Sequence, residues 1–541
     1  MNRSSRFNPL HLLSFLLISL VVLLLPPGVF AAGLLAGGGT HSLAISPGNA
    51  FGYAWGANRD GQMGNEGTGR NQPYPSRWSP FAAASSSVGV QAADEAPVQV
   101  ASGDRHSLAL RSDGTVWAWG LNGSGQLGDG TTTSRLVPIQ VPGLREVVAI
   151  AAGKTHSLAV TQDGTVWAWG NNSYRQLGNN SADESHVPTP VVTVVERSDG
   201  GLDFPPLTDV VTVAASEVHS VALKRDGTVW AWGDNQYGQL GNERAFGGSA
   251  TAKPVAGLTG VHAIIAGGFA STHVELGTAY TLAQTEDGTF YGWGNNSRCQ
   301  LGEAAWEKQT TPVSLPNLNR LGNVDALAGG GAHGVALTAD GQVWTWGDNG
   351  HGQLGDGTST DRCAPQAVTG VTGAETISAG VAHTLVTQRD GTVWAWGQND
   401  TGQLGDGTAD DNGTPKPVKG LCRVGALNVK TPPPAGCPVT VEIDSAGDGG
   451  GTVSGGGEYA AGATITLTAT PDANSQFVGW QPEPCAASFT MPAQALTCRA
   501  TFTRRETVSY PLTVTVNPAS TGSGTVSGGG TYPAGATVTL T

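Results

Sequence analysis

Between residues 147 and 178 the chain sets short apolar runs against turn residues in a fixed order. VVAIAAG at 147–153 is apolar with small residues at its end. HSLAV follows, then Asp163-Gly164, then VWAWG at 166–170, and then QLG at 176–178. No helical period runs through this segment; runs of four to seven residues bounded by glycine and aspartate predict strands. Asp-Gly between two apolar runs predicts a tight hairpin with a two-residue type I′ turn, because glycine accepts positive φ without cost. The VWAWG run is apolar on both faces, so the strand it forms must be covered on both faces. A Pro-containing stretch such as VPIQV at 137–141 fits an outer edge strand, where a missing N–H is tolerated. The pattern thus predicts about four strands, innermost to outermost.

The pattern recurs. Its Trp-Gly landmark stands at Trp55, Trp119, Trp169, Trp232, Trp293, Trp346 and Trp396, so seven copies are present, the tightest spaced by 50 residues. One such sheet cannot bury both of its faces. Seven arranged radially can, each covering its neighbour, and closing the ring leaves only short edges. The fold class expected is all-β: a seven-bladed β-propeller followed by small C-terminal β modules.

HSLALRSDGTVWAWGLNGSGQLGDGT at 106–131 resembles the signature repeat of the regulator of chromosome condensation family. The resemblance covers roughly residues 33–425, and the seven-bladed propeller is what it implies. Copy one departs from the signature, with SPGNAFGYAWG in place of the Asp-Gly turn and Met63 in place of leucine. Copy five departs as well, with Tyr280 at the histidine position.

The segments outside the repeats divide the rest of the chain. Residues 1–31 carry Arg3 and Arg6, a largely apolar run at 12–25 and then Pro26-Pro27. This is the pattern of a secretory signal peptide; a single-pass anchor is the rival reading, although the run is short for a bilayer. With the signal removed, no later segment could span a membrane. Residues 426–437 form a Pro-rich linker. GGTVSGGGEYAAGATITLT at 450–468 recurs as SGTVSGGGTYPAGATVTLT at 523–541. These segments resemble internalin-type bacterial repeat modules, one at 438–505 with FVGW at 477–480 as a core element, and a second, truncated one at 510–541. Half a module lacks the strands that would cover its apolar face and is expected to be poorly ordered.

Composition narrows the function classes. Gly is unusually abundant at 80 residues, 13% of residues are charged, and 39% are apolar with 15 Trp. The mix suits many short strands with glycine turns and excludes a disordered chain. The net charge of −14 argues against nucleic-acid binding, which calls for a basic footprint. Six Cys in an exported chain read as disulfides. Cys485 with Cys498 is the favoured pair. Cys422 with Cys437, and Cys299 with Cys363 in equivalent outer turns of adjacent repeats, are further pairings. None has C-x-x-C spacing, so zinc and thiol catalysis are poor readings.

His41, His106, His156, His219, His333 and His383 occupy one equivalent position in six copies. A metal needs ligands converging to about 2 Å, and one residue per blade cannot converge. Buried imidazoles tying strand to strand are the expectation instead. The repeated Trp residues read as core. An aromatic platform for sugars would come from an insertion, as with Tyr74, Trp78 and Phe81. GDGTADDNGT at 405–414 lacks the spacing of a calcium loop. No nucleophile elbow, zinc-protease motif or phosphate loop is present.

No catalytic, cofactor-binding or metal-binding residue is therefore assigned, no cofactor is expected, and the chain is not expected to be an enzyme. Function is sought in three insertions, at 65–100, 179–210 and 268–278. The first two follow QMG or QLG and should rise from one region of their blades. The expectation is a monomeric, secreted or cell-surface scaffold that binds an unknown protein partner through insertions and one propeller face. A guanine nucleotide exchange activity toward a small GTPase, which the family resemblance permits, and a polysaccharide-binding or polysaccharide-acting role are the alternatives.

Overall fold

The computed structural model describes residues 34–49, 51–65, 69, 71–78, 96–242, 247–268, 277–304, 306–431, 437–459, 463–491, 495–505, 509–515 and 525–540. The signal-like segment, Phe81, most of the first insertion, the centre of the third and residues 432–436 of the linker lie outside them. Among the described residues no helix is long and apolar enough to cross a membrane.

The chain divides into two compact units, 1–433 and 434–541. The first contains seven four-stranded antiparallel sheets, each made of four consecutive strands. They are blade 1 (35–78), blade 2 (97–140), blade 3 (147–190), blade 4 (210–254), blade 5 (261–314), blade 6 (324–367) and blade 7 (374–417). In blade 3 the strands are Val147–Ala152, His156–Thr161, Val166–Gly170 and Ser185–Pro190. The first strand of each blade touches the first strands of both neighbours, and that of blade 1 touches those of blades 2 and 7. The ring is therefore closed, with seven spokes and the first strand innermost.

The doubly apolar strands explain the closure. Each core cluster is shared by two blades; Leu108, Val116, Leu127 and Val141 of blade 2 pack with Ile150, Ala159 and Trp169 of blade 3. The last joint works the same way. Leu35, Tyr53 and Trp55 of blade 1 pack with Leu385, Val393 and Leu404 of blade 7, and with Leu427 and Val429 from the strap that follows it. The packed core thus runs past residue 425, where the repeat pattern stops.

A hoop of backbone hydrogen bonds crosses all seven seams near the axis. The N–H groups of Gly39, Asp104, Lys154, Glu217, Gly268, Gly331 and Val381 donate to the carbonyls of Gly103, Lys154, Ser216, Gly268, Gly330, Val381 and Gly38, at 3.0–3.3 Å. The last of these bonds returns to blade 1.

The hairpin turns differ from the expected type. In blade 3, Gly164 N–H donates to Thr161 C=O at 2.8 Å, and Thr161 N–H donates to Thr165 C=O at 3.0 Å. Gly164 has φ 82°, whereas Asp163 is not among the residues with positive φ. This is a type I turn closed by a left-handed glycine rather than a two-residue type I′ turn. The Asp163 carboxylate decides the matter: it accepts the Thr161 hydroxyl at 2.7 Å and the Thr165 N–H at 3.0 Å. Those bonds, the Thr161 hydroxyl first, hold its carboxyl below the usual range.

In the second unit, Cys437–Ile443 pairs parallel with Leu496–Arg504, which pairs antiparallel with Ser475–Gln481. Cys485 and Cys498 are disulfide-bonded. The core includes Val439, Ile465, Leu467, Met491, Leu496, Cys498, Ala500 and Phe502. FVGW stands at its margin: Val478 is exposed, while the Phe477 ring lies 5.8 Å from the buried Phe502 and 5.8 Å from the half-buried Trp480, on an edge strand whose register slips between Phe477 and Gly479. Ser509–Leu512 pairs with Gly530–Pro533, and the partners Tyr510 and Tyr532 repeat Cys437 and Tyr459. No described residue of this second copy is buried.

Candidate functional site

The six repeated histidines do not meet; each sits at a different seam and bonds the next blade. His156 Nε2 of blade 3 lies 2.9 Å from Ser220 Oγ of blade 4. The Ser220 hydroxyl donates to Gln176 C=O of blade 3 at 2.9 Å. A hydroxyl has one proton, so the imidazole must donate through Nε2–H. Trp232 Nε1–H of blade 4 donates to the same carbonyl at 2.9 Å. The same relay runs from His41 to Ser107, His106 to Ser157, His219 to Thr281, His333 to Thr384 and His383 to Ser42. The repeated QLG element therefore supplies the carbonyl on which two neighbouring side chains converge.

All six rings are fully buried. Burial, the largest cause throughout, pushes five of them down to about 3 and His383 to about 4; neighbouring histidines add to it for His41, His106, His156 and His333. They are neutral latches. Their rings rest on glycines: a Cβ on Gly103, Gly153, Gly330 or Gly380 would come under 3.0 Å from the imidazole. In blade 4 the residue is Ser216, whose hydroxyl instead lies 2.6 Å from His219 Nδ1. Among the described residues no three His, Cys, Asp or Glu gather as metal ligands.

The other candidates separate. Trp78 is fully buried and packs tilted against Trp119, ring centroids 4.9 Å apart; it belongs to the joint between blades 1 and 2, not to a sugar platform. Tyr74 lies under the Arg423 guanidinium at 4.3 Å. Asp406 of the 405–414 loop serves its own turn, accepting the Thr408 N–H at 2.9 Å and hydroxyl at 2.7 Å. Cys299 and Cys363 are bonded, but not from equivalent turns. Cys299 is in the turn before Gln300, and Cys363 is in the outer strand Arg362–Ala367 of the next blade. The two positions meet because that turn packs on the neighbour's outer strand. Cys422 and Cys437 are each in a disulfide.

The insertions follow the outer strands rather than QLG or QMG, because the fourth strand reads through the Pro-containing segments Gln72–Trp78 and Ser185–Pro190. Both therefore leave from the end of the wheel that carries the Asp-Gly turns, while the insertion inside blade 5 leaves from the opposite, hoop end. The second contains a small hairpin, with Val195 opposite Asp203 and Glu196 opposite Leu202.

This hairpin exposes Val194, Val195, Leu202 (54%) and Phe204. Val98, Leu136, Val137, Val148, Tyr174 and Val187 are exposed in blades 2 and 3. Ten of the eleven exposed large apolar residues described in the first unit thus fall within 98–204; Val424 is the other. The repeat pattern conceals the six in blades 2 and 3, since each occupies an ordinary strand or turn position, whereas Leu202 and Phe204 belong to GLDFPPL at 201–207, a segment of the insertion whose aromatic and prolines suit protein contact. A comparison of the same position across the seven copies would have revealed the six.

Comparison with known proteins places these features. Residues 24–276 match the RCC1-like domain. Residues 287–337, 340–387 and 390–430 match the regulator of chromosome condensation (RCC1) repeat, and 440–506 the divergent InlB B-repeat domain. The ultraviolet-B receptor UVR8 of Arabidopsis thaliana is 31% identical over 62% of this chain and 69% of its own. The E3 ubiquitin-protein ligase HERC2 of Mus musculus is 32% identical over 51% of this chain, and the probable E3 ubiquitin-protein ligase HERC6 of Homo sapiens is 35% identical over 62%. The matches span only 5% and 25% of those two relatives. Among solved structures, Prp20p of Saccharomyces cerevisiae superposes with a TM-score of 0.55 at 24% identity, covering 68% of this chain and 86% of its own.

Proposed function

This chain belongs to the RCC1-repeat family, and from that premise we propose that it is a protein-binding propeller displayed at the cell surface, acting by docking and not by catalysis. The observation that carries this reading is the bias of exposed apolar side chains to blades 2 and 3 and the hairpin beside them. Isolated exposed apolar residues are ordinary; their confinement to one sector of a seven-fold repeat calls for a cause, and a docked partner provides one. The InlB B-repeat module and the disulfides support placement outside the cytoplasm.

Prp20p has been described together with its binding to Gsp1p and histones. At 24% identity that likeness is one of fold, and no partner is carried across. Of the three aromatics considered for a sugar platform, Trp78 is taken up by the core, which counts against the polysaccharide reading. The test is affinity capture from native cell surfaces with the full chain and with a Leu202→Asp/Phe204→Asp variant. A captured protein lost by the variant, with the propeller still folded, is the expected result; undiminished capture would overturn the proposal.

A further inference from the structure

The joint between blades 5 and 6 departs from the other six in two independent ways. First, its polar relay is missing. Tyr280 replaces the histidine of blade 5, and Gly334 replaces the hydroxyl residue of blade 6, so Gln300 C=O receives the Trp346 indole at 3.0 Å with no serine or threonine beside it. The Tyr280 hydroxyl donates instead to His333 C=O at 2.7 Å. The relay cannot form around Gly334, because a Cβ there would come under 3.0 Å from the Trp346 ring. Second, the outer contact is covalent. At five other seams a left-handed glycine packs on the next blade's outer strand, Gly61 on Leu136, Gly125 on His186, Gly238 on Thr310, Gly352 on Gly413 and Gly402 on Pro73, and at the joint of blades 3 and 4 a left-handed Arg175 holds that position without a covalent bond. At this seam Cys299, itself left-handed at φ 61°, is disulfide-bonded to Cys363. The Arg298 guanidinium crosses the same seam to Asp361 at 3.3 Å, but is half-exposed and contributes little.

We propose that the Cys299–Cys363 bridge is a redox-sensitive clamp on this seam, and that the ring opens first between blades 5 and 6 once the bridge is reduced. A dithiol reductant supplies two electrons and two protons: the S–S bond breaks, two thiols form on the protein, and the reductant closes to its own disulfide. The Tyr280 bond, the Thr278 hydroxyl donating to Gly331 C=O at 2.6 Å, the Trp346 indole on Gln300 C=O and the hoop contact from Gly268 N–H to Gly330 C=O are then the polar ties left toward the axis, where other seams keep the relay as well. A protein oxidised on export holds its ring shut; under reducing conditions the same chain exposes the facing edges of two blades.

The test uses the full chain, in a Cys299→Gly/Cys363→Ala variant that leaves the other two bridges intact. Native-state hydrogen exchange is followed blade by blade, alongside the parent chain with and without a dithiol. The expected result is at least a tenfold acceleration of amides in blades 5 and 6, with blades 2 and 3 unchanged. Acceleration spread evenly over all seven blades, or no acceleration, would overturn the proposal. Should the two-substitution variant fail to fold, the blade-by-blade pattern of the parent chain with and without the dithiol decides alone.

Discussion

His156 of blade 3 and Ser220 of blade 4 lie 2.9 Å apart across a seam, and that seam is tied through the serine. Ser220 accepts from the imidazole and donates to Gln176 C=O. Replacing it by alanine leaves a buried imidazole N–H without a partner. A net hydrogen bond is worth roughly 1 kcal/mol and an orphaned buried donor costs roughly 1–3 kcal/mol. Ser220→Ala should therefore destabilise the chain by about 2–3 kcal/mol in denaturant unfolding. Ser359→Ala, at an exposed loop position, should stay within about 0.5 kcal/mol.

The six buried histidines predict acid sensitivity. Their folded pKa values, about 3 to 4, lie below the ordinary 6.5 of an unfolded histidine. As pH falls below 6.5 the unfolded chain takes up protons that the folded chain refuses, so stability is lost from 6.5 downward. The loss stops growing only below the folded values. Each histidine contributes up to about 1.4 kcal/mol per pH unit. Unfolding midpoints measured from pH 7 to pH 4 should fall steeply, and a His219→Asn variant should show a shallower slope by one proton.

Gly380 tests the packing beneath the imidazoles. A Cβ there would come under 3.0 Å from both His383 and the Gly38 carbonyl, and the backbone on the far side of this seam is held by the hoop. Gly380→Ala should cost several kcal/mol, in the range of overpacked cores, about 1–3 kcal/mol or more, read as a lowered Tm.

Much of this architecture is legible in the sequence. The Trp-Gly landmarks, Asp-Gly turns and doubly apolar strands dictate seven sheets that must lean on one another, and the histidines at one repeat position dictate a structural role. What pattern reading missed were pairings between copies. Cys299 and Cys363 lie at unlike repeat positions, and only the way a turn rests on the next outer strand brings them together. The type I turn was hidden because its choice depends on the Asp163 carboxylate reaching two residues on. Trp78 resembles an insertion aromatic until the Pro-containing segment is recognised as the fourth strand.

Trp78 and Tyr74 should separate cleanly. Trp78→Ala removes a fully buried indole from the joint of blades 1 and 2 and should cost about 3–5 kcal/mol. Tyr74→Ala loses a cation–π contact with Arg423, about 0.5–1 kcal/mol. Thermal unfolding of the two variants, side by side, checks the difference.

The claim that blades 2 and 3 form the docking sector is tested most directly by site-specific photocrosslinking on the full chain displayed on its native cells. Photoreactive residues replace Val148 and Leu202 in the sector, and Ser359 and Lys416 elsewhere on the wheel; all four positions are exposed. Adducts to one protein from Val148 and Leu202, with none from Ser359 or Lys416, are the predicted result. Adducts from Ser359 or Lys416 alone would contradict it.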